Sequence, residues 1–295
     1  MERDLGPVLD RVGLGAVVGV GRLFMDIIRG VSDDAVIRDK YVVLIFDELD
    51  KWYRSMLNAP DNAQVGYGPI EGEVMSYAEH FENFPTMDKV QGLSVVFGFS
   101  DQGAVNVVRK YGGKGLLEGL LLWYIPKADF MDVLNEVTTK AKPSTSIDTE
   151  LLWQLTGGNL RELARIVFNN DWSIEKWLRD VIIKLSGVNG VLAFLEEAGR
   201  YGLNIAEARA HGLGDAARMA FDELLSMNVF LNVYDYELRL SELPSEPWVR
   251  DVNTGNVITI LPQLPAYYWV LRVMAGKRSI GVEPSDVIRE ITENV

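Results

Sequence analysis

The chain contains no cysteine and only two histidines, His80 and His211. Disulfide staples, zinc ribbons and thiol catalysis are thereby excluded, and so is a histidine-rich metal site. Also missing is any run near the ~18–20 apolar residues that a membrane-spanning helix needs. The longest apolar stretches, such as Tyr41–Phe46 and Leu120–Ile125, have the length of buried strands. Cations are scarce: 29 Lys+Arg stand against 42 Asp+Glu, a formal net charge of −13. The opening Met1-Glu2-Arg3-Asp4 leads into no signal-like apolar stretch, so secretion is not expected. What is present is ordinary for a chain with a real core: 295 residues, 48% apolar and 24% charged. The expectation is a soluble, cytoplasmic, acidic protein of about two domains with no membrane association.

The first half reads as alternating strand and helix. Tyr41–Phe46, Leu93–Phe97 and Leu120–Ile125 are short β-branched or apolar runs bounded by polar residues, the pattern of strands buried on both faces. Helical stretches lie between them, including Gly103–Lys110 and one near Glu71–Glu82, while Leu57–Pro69 reads as a loop insertion. That order predicts a parallel α/β sheet. Beyond Pro126 the spacing turns helical, over Ala128–Lys140, Asp148–Leu155, Leu160–Phe168 and Ser173–Leu185. From Gly187 onward, Val188–Gly199, Asn204–Ala210 (capped by Asn204) and Asp215–Met227 form three further helices. Two extended runs follow, Val229–Leu240 and Trp248–Leu261, and then closing helices at Gln263–Met274 and Glu283–Glu293. Three short helices followed by a β-wing is the outline of a winged helix-turn-helix. The domain reading is therefore 1–126, 127–186 and 187–295.

The sharpest local signal is Val42-Val43-Leu44-Ile45-Phe46-Asp47-Glu48. A buried parallel strand ending in two adjacent acids is the Walker B arrangement. The strand end fixes the first acid where it can hold Mg²⁺, and the second can polarise an attacking water. The alternative is a strand that ends in solvated charges. Downstream, Gly157-Gly158-Asn159-Leu160-Arg161 places an arginine just inside a helix after a glycine pair. Its alternative is a helix end, an Asn159 cap and a solvated Arg161. Leu93–Phe97 runs into Gly98-Phe99-Ser100, a strand with a polar group just past its end.

In this order and at these spacings the three features resemble the archaeal ATPase family, a P-loop group close to AAA+ and STAND proteins that ends in a winged helix. Gln263–Leu271 adds to the resemblance, which covers nearly the whole chain. The resemblance implies an α/β fold: an incomplete AAA+-like parallel sheet with a helical lid, followed by a C-terminal winged-helix domain. It implies ATP and Mg²⁺ as ligands. Asp47 would hold the metal, Glu48 would orient water, Ser100 would sense the γ-phosphate as sensor 1, and Arg161 would contact phosphate as sensor 2.

The departures are as informative. No Gly-x-x-x-x-Gly-Lys-Ser/Thr occurs, so the phosphate cradle and its lysine are missing. Gly13–Gly19 has glycines without lysine, and Lys114 in Gly112–Gly115 lacks a following hydroxyl. Neither Leu117–Leu120 nor its surroundings supplies an arginine finger, and Leu160 stands where proline is usual. Only 46 residues precede Asp47, too few for the family's first strand, loop, helix and second strand. A shortened or fragmentary ATPase core is expected, its gap filled by the Leu14–Val20 stretch, a partner chain or a missing N-terminal segment, with hydrolysis depending on a phosphate loop supplied upstream or by a partner.

Charge bears on the winged helix. Residues 187–295 carry 9 Lys+Arg and 15 Asp+Glu, a net of −6, and the remainder a net of −7. The reading helix Asp215–Met227 offers Arg218 against Asp215, Asp222 and Glu223. Duplex binding draws on counterion release, which a net-negative helix does not supply. A protein partner or self-association is therefore favoured over DNA. Arg239, Arg250, Arg272, Lys277 and Arg278 remain a candidate basic patch; the alternatives to a nucleotide-binding ATPase scaffold are a non-catalytic protein-interaction module and a DNA-associated factor resembling archaeal replication initiators. Tyr267, Tyr268 and Trp269 read as core rather than as a stacking platform.

Overall fold

The β-branched run Tyr41–Phe46 forms strand β1 in the computed structural model, and Gly92–Phe97 forms β2. The structure describes residues 40–47, 91–98, 120–144, 146–233, 246–250 and 259–295. The expected features at Gly13–Gly19, Glu48, Leu57–Pro69, Glu71–Glu82, Ser100, Gly103–Lys110, Gly112–Gly115 and Arg239 lie outside these residues. Strands β1 and β2 pair in parallel with Tyr41 opposite Gly92 and Phe46 opposite Phe97. Parallel neighbours need a crossover connection of about a dozen residues or more. The Tyr41 hydroxyl shares a 2.6 Å hydrogen bond with the Ser94 hydroxyl. Tyr41, Val43 and Ile45, at alternate positions, are exposed on one face.

The chain divides into two compact units, Met1–Gly119 and Leu120–Val295. The second opens with residues 120–126, which join no sheet among the described residues. Leu120–Ile125 was expected to form a strand covered on both faces. Instead Leu121, Trp123 and Ile125 pack on the helical core while Leu122 stays 83% exposed. An apolar run signals burial of some residues, not sheet membership, and here Leu121, Trp123, Tyr124 and Ile125 are partly covered while Leu120 and Leu122 are exposed.

The helices begin and end where local chemistry dictates. Helix α1 (Lys127–Ala141) buries Phe130 and Leu134, one turn apart, and stops at Lys142 in the left-handed conformation. Helix α2 (Thr149–Thr156) starts under the Asp148 carboxylate, which accepts from the Leu151 N–H, and ends at left-handed Gly157. Helix α3 (Leu160–Ala164) is capped by Asn159 and runs on as a π-helical turn, Arg165–Asn169. The Ser173 hydroxyl caps α4 (Ile174–Ser186), whose Trp177, Leu178, Val181, Ile182 and Leu185 make one apolar stripe. Helices α5 (Val191–Gly199), α6 (Ile205–Ala210) and α7 (Asp215–Ser226) follow, with Asn204 capping α6 as its sequence position predicts. Strands β3 (Phe230–Asn232) and β4 (Ile260–Pro262) pair antiparallel. Helix α8 (Pro265–Lys277) and α9 (Pro284–Asn294) each carry proline at their start.

The centre of the second unit is α8. It packs against α2, α4, α5 and α9, and it buries Ala266, Trp269, Val270, Leu271, Val273 and Met274. A helix apolar on most of its circumference belongs inside a core. Trp269 is fully buried, which removes it from any stacking platform, and its indole N–H donates to the Gln154 carbonyl at 3.0 Å. The Trp153 indole donates to Glu246 at 2.7 Å, and Trp248 reaches the Gln154 side chain at 3.4 Å. Segments 127–186 and 187–295 thus share one continuous hydrophobic cluster. Among the described residues no helix is long and apolar enough to cross a membrane.

Two glycines hold the junction between α2 and α3. Gly157 (φ 59°) lies against Pro265 and Trp248, and Gly158 (φ 88°) packs on the Ile125 carbonyl so closely that a Cβ there would overlap it. Gly158→Ala is expected to lower the unfolding free energy by about 2–4 kcal/mol, through steric overlap and a disfavoured φ. Gly199→Ala meets open space and is expected to stay within about 0.5 kcal/mol of the parent or above it. Urea denaturation of both variants checks the contrast.

Candidate functional site

Asp47 follows the last residue of β1, so the pleat and register of the β1–β2 pair fix its position, and its side chain is exposed. Glu48 and Ser100, expected beside it, lie outside the described residues. Among those residues, no group of three or more His, Asp or Glu converges as metal ligands do.

The other expected residue, Arg161, sits in a better defined setting. Gly157 closes α2 and Asn159 opens α3, its side-chain oxygen accepting from the N–H groups of Arg161 (3.0 Å) and Glu162 (3.1 Å). This leaves the Arg161 side chain exposed on the first turn. Arg165 lies one turn later on the same helical face and donates to Glu162 at 2.8 Å. The second Glu162 oxygen accepts from the Trp177 indole at 3.0 Å. Lys184 comes in from α4, donating to the Tyr267 hydroxyl (2.8 Å) and the Met227 carbonyl (3.2 Å). Tyr124 completes the group through a side-chain hydrogen bond with Asn159.

The electrostatics of this cluster run against those of the whole chain. Arg165 and Lys184 both feel the Glu162 carboxylate, and Arg161 and Glu162 both act on Tyr124, so three cations accompany one acid in a protein of net charge −13. Burial holds the Lys184 ammonium below the usual lysine range; Glu162 opposes this and Arg165 adds to it. Burial pushes the Tyr124 phenol up to about 12, against the Asn159 hydrogen bond, which acts to lower it. Burial likewise pushes the Tyr267 phenol up to about 12, with the Glu162 charge adding to the effect. Two neutral phenols and a surplus of positive charge make a place that favours an anion.

The sequence pointed to Arg161 and Asn159 but not to Tyr124, Lys184 or Tyr267. Tyr124 lies in an apolar run, Lys184 in the last turn of an amphipathic helix, and Tyr267 in a segment read as core. The border position of Lys184 beside Val181 and Leu185 was the one available signal, since a long cationic side chain there lays its stem on the core. No protein-family model, curated protein or solved structure matches the chain.

The phenols set a pH dependence. In the folded chain they keep their protons to about pH 12, whereas in the unfolded chain they lose them near the ordinary 10.0. The folded state therefore binds more protons across that window, and stability falls as pH climbs from about 10 to about 12. Lys184 acts oppositely: its lowered folded-state value makes stability rise with pH, an effect complete near the ordinary 10.5. Denaturant midpoints measured across the alkaline range are expected to drop, and Tyr124→Phe and Tyr267→Phe each to flatten the drop. An unchanged profile in both variants would refute the assignment.

Proposed function

We propose that the chain is a nucleotide-associated scaffold of the archaeal ATPase type, acting in the cytoplasm through protein contacts, with no hydrolysis by these residues alone. The observation that carries this reading is the cationic cluster at the Gly157-Gly158-Asn159-Leu160-Arg161 junction, which suits phosphate oxygens. The parallel pairing of β1 and β2, with Asp47 just past the strand end, supports it. The residues fit Mg²⁺-ATP in part. Taken unit by unit, Arg161 in the second has the planar fork for a phosphate, with Lys184 and Arg165 adding charge, and Asp47 in the first has a carboxylate of the kind that holds a metal through water. The lysine-bearing phosphate loop has no counterpart in the sequence. When bound, the metal would neutralise phosphate charge. The chain's own part is to position the phosphates, with Glu48 and Ser100 in the water-orienting and γ-phosphate-sensing roles that the resemblance implies.

The winged-helix reading of α5, α6, α7, β3 and β4 belongs to the same proposal, as a protein-contact module. Arg218, the one cation on α7, is paired with Asp215 at 2.6 Å, and Met219 beside it is 70% exposed. A helix with its cation neutralised and a large apolar side chain outward suits a protein surface better than phosphates.

Calorimetric titration with Mg-ATP tests the reading. Binding is expected with Kd below about 1 mM, together with at least tenfold weakening in Arg161→Ala, since a charge-assisted hydrogen bond contributes about 1.5–3 kcal/mol. Phosphate release is expected to stay at the blank level. Absence of binding at millimolar Mg-ATP would overturn the proposal, and duplex DNA binding with a steep salt dependence would favour the replication-initiator alternative.

A further inference from the structure

The other described lysines fall into two groups. Lys127, Lys140 and Lys277 each pair with a carboxylate, from Glu150, Glu136 and Asp286 in turn. Lys40, Lys142 and Lys176 are exposed to water. Lys184 belongs to neither group. It is part-buried, and its Nζ donates to two neutral acceptors, the Tyr267 hydroxyl at 2.8 Å and the Met227 carbonyl at 3.2 Å. The same nitrogen lies 4.7 Å from the centre of the Tyr267 ring. No carboxylate pairs with it among the described residues. Glu162, an acid whose charge reaches it, already accepts from Arg165 and from the Trp177 indole.

This setting removes what ordinarily keeps a lysine unreactive. Hydration and neighbouring acids hold an ammonium protonated, and only the neutral amine is a nucleophile. Here burial strips away part of the hydration, and the charge of Arg165 works in the same direction. A desolvated lysine beside a second cation is a general route to a reactive amine. Two more groups stand close by. The Tyr267 hydroxyl, which accepts from Lys184, keeps its own proton to donate. Of the Arg165 guanidinium only Nη1 is committed, to Glu162, among the described residues. The rest of that fork is open to an anion. An amine, a proton donor 2.8 Å from it and an unfilled guanidinium edge are what imine formation with an anionic carbonyl compound requires.

We propose that Lys184 is a Schiff-base site for a small phosphate-bearing aldehyde. Arg165 takes the phosphate. The neutral Lys184 amine adds to the carbonyl carbon, forming the C–N bond, and the carbonyl oxygen gains a proton from the nitrogen to give a carbinolamine. The C–O bond then breaks, and the leaving hydroxyl takes the Tyr267 proton and departs as water. The remaining nitrogen proton returns to the Tyr267 oxygen, so the products are an imine and one water with no change of oxidation state. The inference goes beyond the nucleotide reading and does not rest on it, because that reading turns on Arg161 and this one on the Lys184 amine.

The test is labelling of the full chain with one equivalent of pyridoxal phosphate, trapped with borohydride and mapped by peptide mass spectrometry. Deoxypyridoxal, which lacks the phosphate and cannot close on its own aldehyde, is the comparison. Lys184 is expected to take most of the label, at least about tenfold faster than exposed Lys142 or Lys176. The phosphate-bearing aldehyde is expected to label Lys184 at least about tenfold faster than deoxypyridoxal, as befits a charge-assisted contact. Tyr267→Phe is expected to slow imine formation at Lys184 at least about tenfold, through loss of a positioned proton donor. Lys184→Arg keeps the charge and is expected to remove the selective label. Circular dichroism establishes that the variants are folded. Should they not fold, the site map and the aldehyde comparison on the natural chain decide by themselves. The proposal is overturned if the label spreads over the exposed lysines with no excess at Lys184, if the two aldehydes label Lys184 alike, or if folded Tyr267→Phe reacts at an unchanged rate.

Discussion

The second unit depends on the way the end of α2 is closed. The last carbonyls of any helix lack partners within it, and burying them without replacements is costly. Here the Trp153 carbonyl accepts from the Gly157 N–H, the Thr156 carbonyl from Asn159, and the Gln154 carbonyl from the Trp269 indole far along the chain. A single side chain from α8 thus satisfies a backbone group of α2 and fills the centre of the core. Such a hydrogen bond contributes on the order of 1 kcal/mol net, while leaving its acceptor buried and unpaired costs about 1–3 kcal/mol. The glycine pair follows from the same constraint. Pro265 and Trp248 press on Gly157 and the Ile125 carbonyl presses on Gly158, so the turn into α3 has room only for residues without a Cβ.

That turn determines what the cationic cluster can be. Because Gly158 is fixed against Ile125, the preceding residue Tyr124 is brought to Asn159. Asn159 in turn caps α3 and leaves Arg161 outward. The arginine is thus placed by close packing behind it. Glu162, which accepts from Arg165 and from the Trp177 indole, offsets only part of the positive charge gathered here.

Much of the helical part was legible because its signals are local. Asn159, Ser173 and Asn204 announce helix starts through side-chain oxygens, and Pro284 marks a first turn, so the boundaries fall within a few residues of the spacing-based expectation. The apolar run Leu120–Ile125 was legible as buried but not as to its partner. Whether such a run joins a sheet or lies on helices is decided by residues distant in sequence. The closing helix at Gln263–Met274 carried the same ambiguity: periodicity showed that it is buried, not that it is the centre of the unit. Of the site, the arginine and its cap were readable as a motif. The lysine and the two tyrosines were not, since they arrive from three other elements and meet only in the folded core.

One further property follows from the placement of α8. A helix whose buried side chains touch α2 and α4 on one side and α5 and α9 on others is a shared axle rather than a hinge. Residues 127–186 cannot swing against residues 187–295 without tearing Trp269 from Gln154 and Tyr267 from Lys184. The helices of residues 127–186 and those of 187–295 are therefore built on one shared core. By the same token, a cut near Gly187 would yield two pieces with raw apolar faces in place of two domains.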